Sequence, residues 1–459
     1  MNLPAFALPA PVKSIQVRVI EPGHSAPEGW TPCEIGTNIE FKAERLATYF
    51  FKGWSPLLED ALLVAGAVEY CDMSLHRPSR TWARDIHLCV PVHDLGRWQE
   101  PSVSNALHDA LNFLTGDRWS VSFVGREESA YFGGQQYLQL DHTAEAVIPF
   151  SNGLDSCSVA DLESRKLGPA LIRIRLGTHD RDMRRKERRS EKFAKVPYSV
   201  KGAHNESSMR SRGFKFGVVS GLAAYLAEAP RVIMPESGQG AIGPAIASLG
   251  QVYADYRTHP TFLRKLETFL EALLGRRITY ELPRIWNTKG ETLAAHVKNC
   301  AGDATAWQRT LSCWQQNRHA GVNHRRRQCG ICAACLLRRM SIHAANLSEP
   351  DDAYVWEDLS APTFEAGASP DFDRAKITGK MREYAIAGTL HLDHLAGFRN
   401  SPTTQSELGL HIFLLSRACE QPTKEIREKL DHLLARHEVE WRAFLASVGP
   451  QSFLREWAS

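Results

Sequence analysis

The sequence predicts an α/β protein: a parallel sheet with helices on both faces and a cysteine knuckle, flanked by an N-terminal α+β region and a C-terminal helical region. Three observations lead there. Short apolar runs at 147–150, 170–176, 195–200 and 231–234 alternate with helix-compatible stretches, as parallel strands joined by crossovers do. Three cysteines, Cys329, Cys332 and Cys335, fall within seven residues. Beyond about residue 350, apolar residues recur at spacings of three and four. The expected organisation is an N-terminal α+β extension at 1–143, a central catalytic domain at 144–349 and a helical region at 350–459.

Size and composition bound the rest. A chain of 459 residues is too long for one core. With 43% hydrophobic and 23% charged residues it reads as soluble and globular, and a net charge of +3 does not mark a nucleic-acid binder. No apolar run of about 18 residues suggests a membrane span, and residues 1–13 lack the basic and apolar regions of a secretory signal. Ten cysteines, scattered apart from one cluster, suit a reducing cytoplasm with one metal site.

In the N-terminal region, strands are expected at 14–21, 85–92 and 119–124, and helices at 57–70 and 98–114. His87 and His93 read as hydrogen-bonded structural histidines.

The strand at 147–150 breaks into Ser151-Asn152-Gly153-Leu154-Asp155-Ser156, and a helix follows. Such a junction aims backbone N–H groups and the positive end of a helix dipole at one spot, which suits a phosphate. No Gly-Lys-Thr follows, so it is not a Walker loop. The plainer reading is a strand–helix turn capped by Ser151 or Asp155. A second loop holds Gly238, Gly240 and Gly243, but after a late strand, which argues against dinucleotide binding. It reads as a flexible pocket wall or a plain turn. The segment 181–192, with seven basic and three acidic side chains, is a solvated element or a cover over phosphates, and 324–327 shares that ambiguity.

Cysteines at i, i+3 and i+6 let one turn and a helix start surround an ion, with Gly330 helping the chain fold back. A structural zinc needs a fourth ligand. Cys313, fifteen residues upstream, is the first choice, with His324 and Cys300 as competitors. An iron–sulfur cluster is the alternative, and Arg338 and Arg339 read as a solvated helix face.

Ser151 to Ser156 resembles the PP-loop of the ATP pyrophosphatases, written Ser-Gly-Gly-x-Asp-Ser, with Asn152 in place of a glycine. Asn tolerates the left-handed region that a glycine would permit. The loop, then Met209-Arg210-Ser211-Arg212-Gly213-Phe214, Thr288-Lys289-Gly290-Glu291-Thr292, Ser312-Cys313-Trp314 and the knuckle follow the order of the QueC family over roughly 145–345. That resemblance implies a PP-loop fold, ATP and magnesium as cofactors, a structural zinc, and adenylation of a 7-deazaguanine carboxylate with pyrophosphate release. It implies that Ser151, Asn152, Gly153, Leu154, Asp155 and Ser156 hold the ATP phosphates, with Asp155 and Ser156 catalytic and Arg212 and Lys289 as phosphate-facing cations. The run from Tyr253 to Phe262 matches the family's Tyr-Pro-Asp-Cys-Arg-Pro-Glu-Phe stretch only in part, so the handling of the base and the second half-reaction stay open. The additions at both ends are similar to QatC, the QueC-like component of Qat anti-phage defence systems, which implies co-encoded defence partners. A tRNA-modifying enzyme and an inactive scaffold are the competing readings. Modest charge and the lack of an aromatic platform beside the basic runs argue against nucleic acid.

In the C-terminal region helices are expected at 377–395 and 408–415. A long amphipathic helix should carry Ile426, Leu430, Leu433, Leu434, His437, Trp441, Phe444 and Leu445 on one stripe. The segment 360–371, with its prolines and small residues, reads as a linker.

Overall fold

A computed structural model describes residues 14–42, 54–77, 83–127, 144–176, 194–206, 209–247, 253–300, 303–315, 320–323 and 325–458. The basic segment 181–192 and His324 lie outside them.

The first layer is a sheet of β1 (Ile15–Ile20), β2 (Thr31–Glu34), β4 (Asp85–Val92) and β5 (Arg118–Gly125), in the order β2-β1-β4-β5. Every pairing in it is parallel, so the expected α+β arrangement is replaced by an α/β layer. The crossovers include α1 (Pro56–Ser74) and α2 (Pro101–Thr115). Pro101 starts α2 and separates it from a short helix at Leu95–Gln99, because proline cannot continue the preceding hydrogen bonds. His93 Nδ1 lies 2.8 Å from Asp60 and His87 Nε2 3.1 Å from Ser122 Oγ, as expected of structural histidines. β3 (Ile39–Phe41) leaves this layer and pairs antiparallel with β9 (Tyr198–Val200) of the central region.

The central sheet contains β6 (Ala146–Pro149), β7 (Leu171–Leu176), β8 (Ala194–Val196), β10 (Arg231–Ile233) and β11 (Thr279–Glu281). Its order is β11-β10-β6-β7-β8, all parallel. Pro197 divides β8 from β9, where the sequence suggested one strand. Side chains alternate between faces. Val147 and Val232 face a core shared with α4 (Arg212–Leu226), α5 (Pro260–Leu274) and the first sheet. Ala146, Ile148 and Ile233 face α3 (Leu154–Leu167), which supplies Val159 and Ala160. The chain leaves β6 for β7 on one side and later reaches β10 on the other. Strand order therefore reverses at β6 and β10, and ligands of such sheets bind beyond the strand ends at that reversal.

A buried ion network joins the first layer to α4. Arg84 is fully buried and contacts Asp72 and Asp117, each at 2.6 Å. The other Asp72 oxygen accepts from Ser211 N at 2.7 Å, directly before Arg212.

The knuckle leads into α7 (Ala333–Ala344), which packs on α6 (Lys289–Asn299). α8 (Gly379–Gly397), α9 (Gln405–Cys419) and α10 (Thr423–Ser447) complete the described chain with a short helix at Phe453–Trp457. The α10 stripe serves two cores. Ile426, Leu430, Leu433 and Leu434 pack against Ala241, Ile242 and Ile285, and Trp441 and Phe444 pack on the knuckle. The expected linker contributes to a core instead: Ala361, Phe364 and Ala368 are buried, and Phe364 stacks on Trp356 and meets Phe453.

Candidate functional site

β6 ends at Pro149, and Ser151 to Gly153 turn the chain into α3, with Gly153 as an N-cap that makes no side-chain cap bond. Ser151 Oγ accepts from Gly153 N at 3.1 Å and lies 2.9 Å from Ser156 Oγ. Of the two proposed caps, Ser151 thus holds the turn and Asp155 does not cap it. Neither Asn152 nor Gly153 has a positive φ. Left-handed tolerance therefore does not explain Asn152, whose carbonyl accepts from Leu311 N at 2.7 Å.

Asp155 is buried and ion-paired to Lys289. Lys289 stands at the first position of α6, where a cation opposes the helix dipole. The other four residues of the motif fix the start of the helix around it. Thr288 and Glu291 form a capping box. Gly290 lies where a Cβ would sit 2.9 Å from Ala344, so α6 and α7 approach closely there. Thr292 Oγ1 bonds back to the Thr288 carbonyl at 2.9 Å. Burial alone would lower the Lys289 pKa, but Asp155 and then Glu236 hold it above the ordinary value.

Glu236 follows β10, the strand beside β6, and is half-buried. Its carboxyl is pushed up to about 8, first by lost hydration and then by the Asp155 charge, although Lys289 and Arg257 pull the other way. Asp155 Oδ1 accepts no hydrogen bond among the described residues. Arg257 pairs with Asp255 and bears on Glu236. Arg212 is exposed, with its guanidinium over Phe216 at 5.6 Å, and the backbone of Arg257 packs against Gly213.

Sequence reading missed Glu236, Arg257 and the supports behind Lys289. Gln239 Oε1 accepts from Lys289 N at 2.8 Å, and Gln239 Nε2 lies 2.9 Å from His437 Nδ1 and 3.3 Å from Glu440. Glu440 also accepts from Thr288 Oγ1, and its carboxyl is pushed up to about 7, chiefly by burial. The glycine loop is not a plain turn. It forms two short helical segments, and a Cβ on Gly238 would meet the Ile285 carbonyl at 2.1 Å and Leu433 at 2.5 Å. Position after β10 was the available signal for Glu236; nothing local marked Gln239 or Glu440.

The second feature is the knuckle. The Sγ atoms of Cys313, Cys329, Cys332 and Cys335 lie within 4.8 Å of one another. Cys329 N donates to Cys313 Sγ at 3.2 Å and Cys332 N to Cys329 Sγ at 3.3 Å, the outer support that a bound thiolate requires. Gly330 has φ +86°, which a side chain would strain. This is a closed four-thiol set that can hold zinc, with no position for a reacting ligand. Arg338 and Arg339 do not form a solvated face. Arg338 is fully buried, bonding Glu349 at 2.8 Å and Thr310 at 2.5 Å. Arg339 reaches the Trp356 carbonyl at 2.6 Å.

Residues 242–346 match the family model described as Queuosine biosynthesis protein QueC. The matched stretch is QueC-like. It includes Lys289 and all four knuckle cysteines, and the Ser151–Ser156 loop lies outside it. No curated protein matches the chain. Among the described residues no helix is long and apolar enough to cross a membrane.

Proposed function

We propose that this chain is a PP-loop enzyme that uses ATP to adenylate the carboxylate of a 7-deazaguanine acid, releases pyrophosphate, and joins the acyl group to an amine of a partner protein in anti-phage defence. The observation that carries the reading is the buried Asp155–Lys289 pair. It joins a loop at the strand-order reversal to a lysine within the QueC-like stretch.

The loop amides and the Ser151 and Ser156 hydroxyls face the β and γ phosphates in this reading, at the N-terminus of α3. Asp155 and Glu236 are the carboxylates that would hold a magnesium ion, since Asp155 Oδ1 has no hydrogen-bond partner among the described residues and the Asp155 charge bears on Glu236. Magnesium held there would neutralise charge on the departing pyrophosphate. Lys289 and Arg257 add fixed positive charge that needs no reorganisation during reaction. The acid's carboxylate oxygen attacks the α phosphorus, the bond to the bridging oxygen breaks, and pyrophosphate leaves. The partner's amine then attacks the acyl carbon, an amide forms, a proton is lost and AMP departs. The zinc at Cys313, Cys329, Cys332 and Cys335 is structural.

The match over 242–346 favours a second reading, a 7-cyano-7-deazaguanine synthase in which ammonia is the acceptor. Intact mass spectrometry of each co-encoded partner, expressed with the wild-type chain or with Asp155→Ala, separates the two. Conjugation predicts a deazaguanine-sized gain that disappears with Asp155→Ala. Unmodified partners with accumulating free nitrile would establish the second reading.

A further inference from the structure

Cys300, a competitor for the knuckle, belongs to another cluster. α3 and α6 pack side by side with both N-termini at the Asp155–Lys289 pair. Seven residues beyond Lys289, His296 meets Asp161 of α3: His296 Nδ1 lies 3.0 Å from Asp161 Oδ2. Cys300, one turn further and capping α6, completes a group whose ligand atoms all lie within 4.8 Å of one another. His296 is 2% exposed, and its Nε2 is buried with no hydrogen-bond partner among the described residues. The 3.0 Å between Nδ1 and Asp161 Oδ2 is close to the spacing of two ligand atoms on one tetrahedral ion, so an ion shared with Asp161 takes Nδ1 and leaves the ring proton on Nε2. Cys157 sits one turn before Asp161 on α3, and the charges of Asp161 and Cys300 both bear on its thiol.

We infer that Asp161, His296 and Cys300 form a second metal site, distinct from the knuckle, for a divalent ion of the zinc class. Carboxylate, imidazole and thiolate are the three ligand types zinc takes, and three protein ligands leave a fourth position for water or Cys157. The i, i+4 spacing of His296 and Cys300 puts both on one face of α6, and Cys157 and Asp161 repeat that spacing on α3. Arg165, 3.4 Å from Asp161 and half-exposed, is the cation a metal must displace. Asp161 and His296 lie about 9–11 Å along their helices from Asp155 and Lys289 at 1.5 Å per residue. The bound ion therefore clamps together the two helices whose first turns carry the candidate active-site pair.

The test counts metal rather than activity. Full-length protein is purified under reducing conditions, loaded with zinc, passed over a chelating resin and assayed by elemental analysis. Two zinc ions per chain are expected for the wild type and one for His296→Gln and for Cys300→Ser. Cobalt in place of zinc gives a second readout, because Cys300→Ser should remove part of the thiolate-to-cobalt absorption and leave the knuckle's. A single zinc in the wild type, unchanged in both variants, overturns the site.

Discussion

Glu236 ties the proposed chemistry to pH. Its carboxyl holds a proton up to about pH 8, because of lost hydration and the nearby Asp155 charge, and magnesium needs it ionised. Magnesium-dependent ATP turnover should therefore fall as pH drops from about 8 toward 6. Glu236→Gln should be slow and flat in a pH–rate profile. Stability moves oppositely. A carboxyl raised on folding keeps a proton that the unfolded chain releases, so its contribution is present below the ordinary carboxylate pKa and is lost as pH rises to about 8. Glu440, raised to about 7, acts in the same direction. In metal-free protein, Glu236→Gln should flatten the fall in melting temperature between these pH values; an unchanged slope contradicts the assignment. Lys289→Met leaves the buried Asp155 carboxylate without its partner and should cost about 3–5 kcal/mol in denaturant unfolding at neutral pH, besides abolishing turnover. Lys289 and Asp155 could be put forward from the sequence because their motifs are local. Glu236 could not, because a carboxylate in a loop after a strand looks like any solvated turn until β10 is known to lie beside β6.

At the scale of elements, α10 is part of the site's frame. It holds Gln239 through His437 and Thr288 through Glu440, and both contacts fix the start of α6. Glu440→Ala removes hydrogen bonds to a carboxylate worth about 1.5–3 kcal/mol each. It should slow turnover about 10-fold or more while the fold persists by circular dichroism, whereas an unchanged kcat would make the helix a bystander. The apolar stripe of α10 was readable from its period, but its partners were not, since His437 and Gln239 are 198 residues apart. The segment 360–371 was misread for a related reason. Proline and small residues are local loop signals, whereas the stacking of Phe364 on Trp356 and its contact with Phe453 are tertiary. The N-terminal sheet departs from expectation because β1 and β2 run parallel across a short connection without a helix. In the knuckle, Cys332→Ser should release zinc and lower the melting temperature by about 5 °C or more, because metal binding is part of the folding energy. Loss of metal should also loosen the core containing Trp356, Phe364, Trp441 and Phe453.

Across the whole molecule, one core spans the first sheet, α1, α4 and one face of the central sheet, and another joins the knuckle to the C-terminal helices. Four of the five central strands were legible because parallel strands buried on both faces leave apolar runs, whereas β11 was not expected, and the knuckle was legible because metal ligation fixes spacing. The proposed activity rests on two motifs that meet in the fold, and the Asp155–Lys289 pair is that meeting point. The central claim is that this pair serves attack of a carboxylate on the α phosphorus of ATP. It is tested most directly by supplying the deazaguanine acid with ¹⁸O in its carboxylate and analysing the nucleotide product. The account predicts AMP carrying one ¹⁸O, with none of this product formed by Asp155→Ala; label in orthophosphate alongside ADP, or unlabelled AMP, would contradict it.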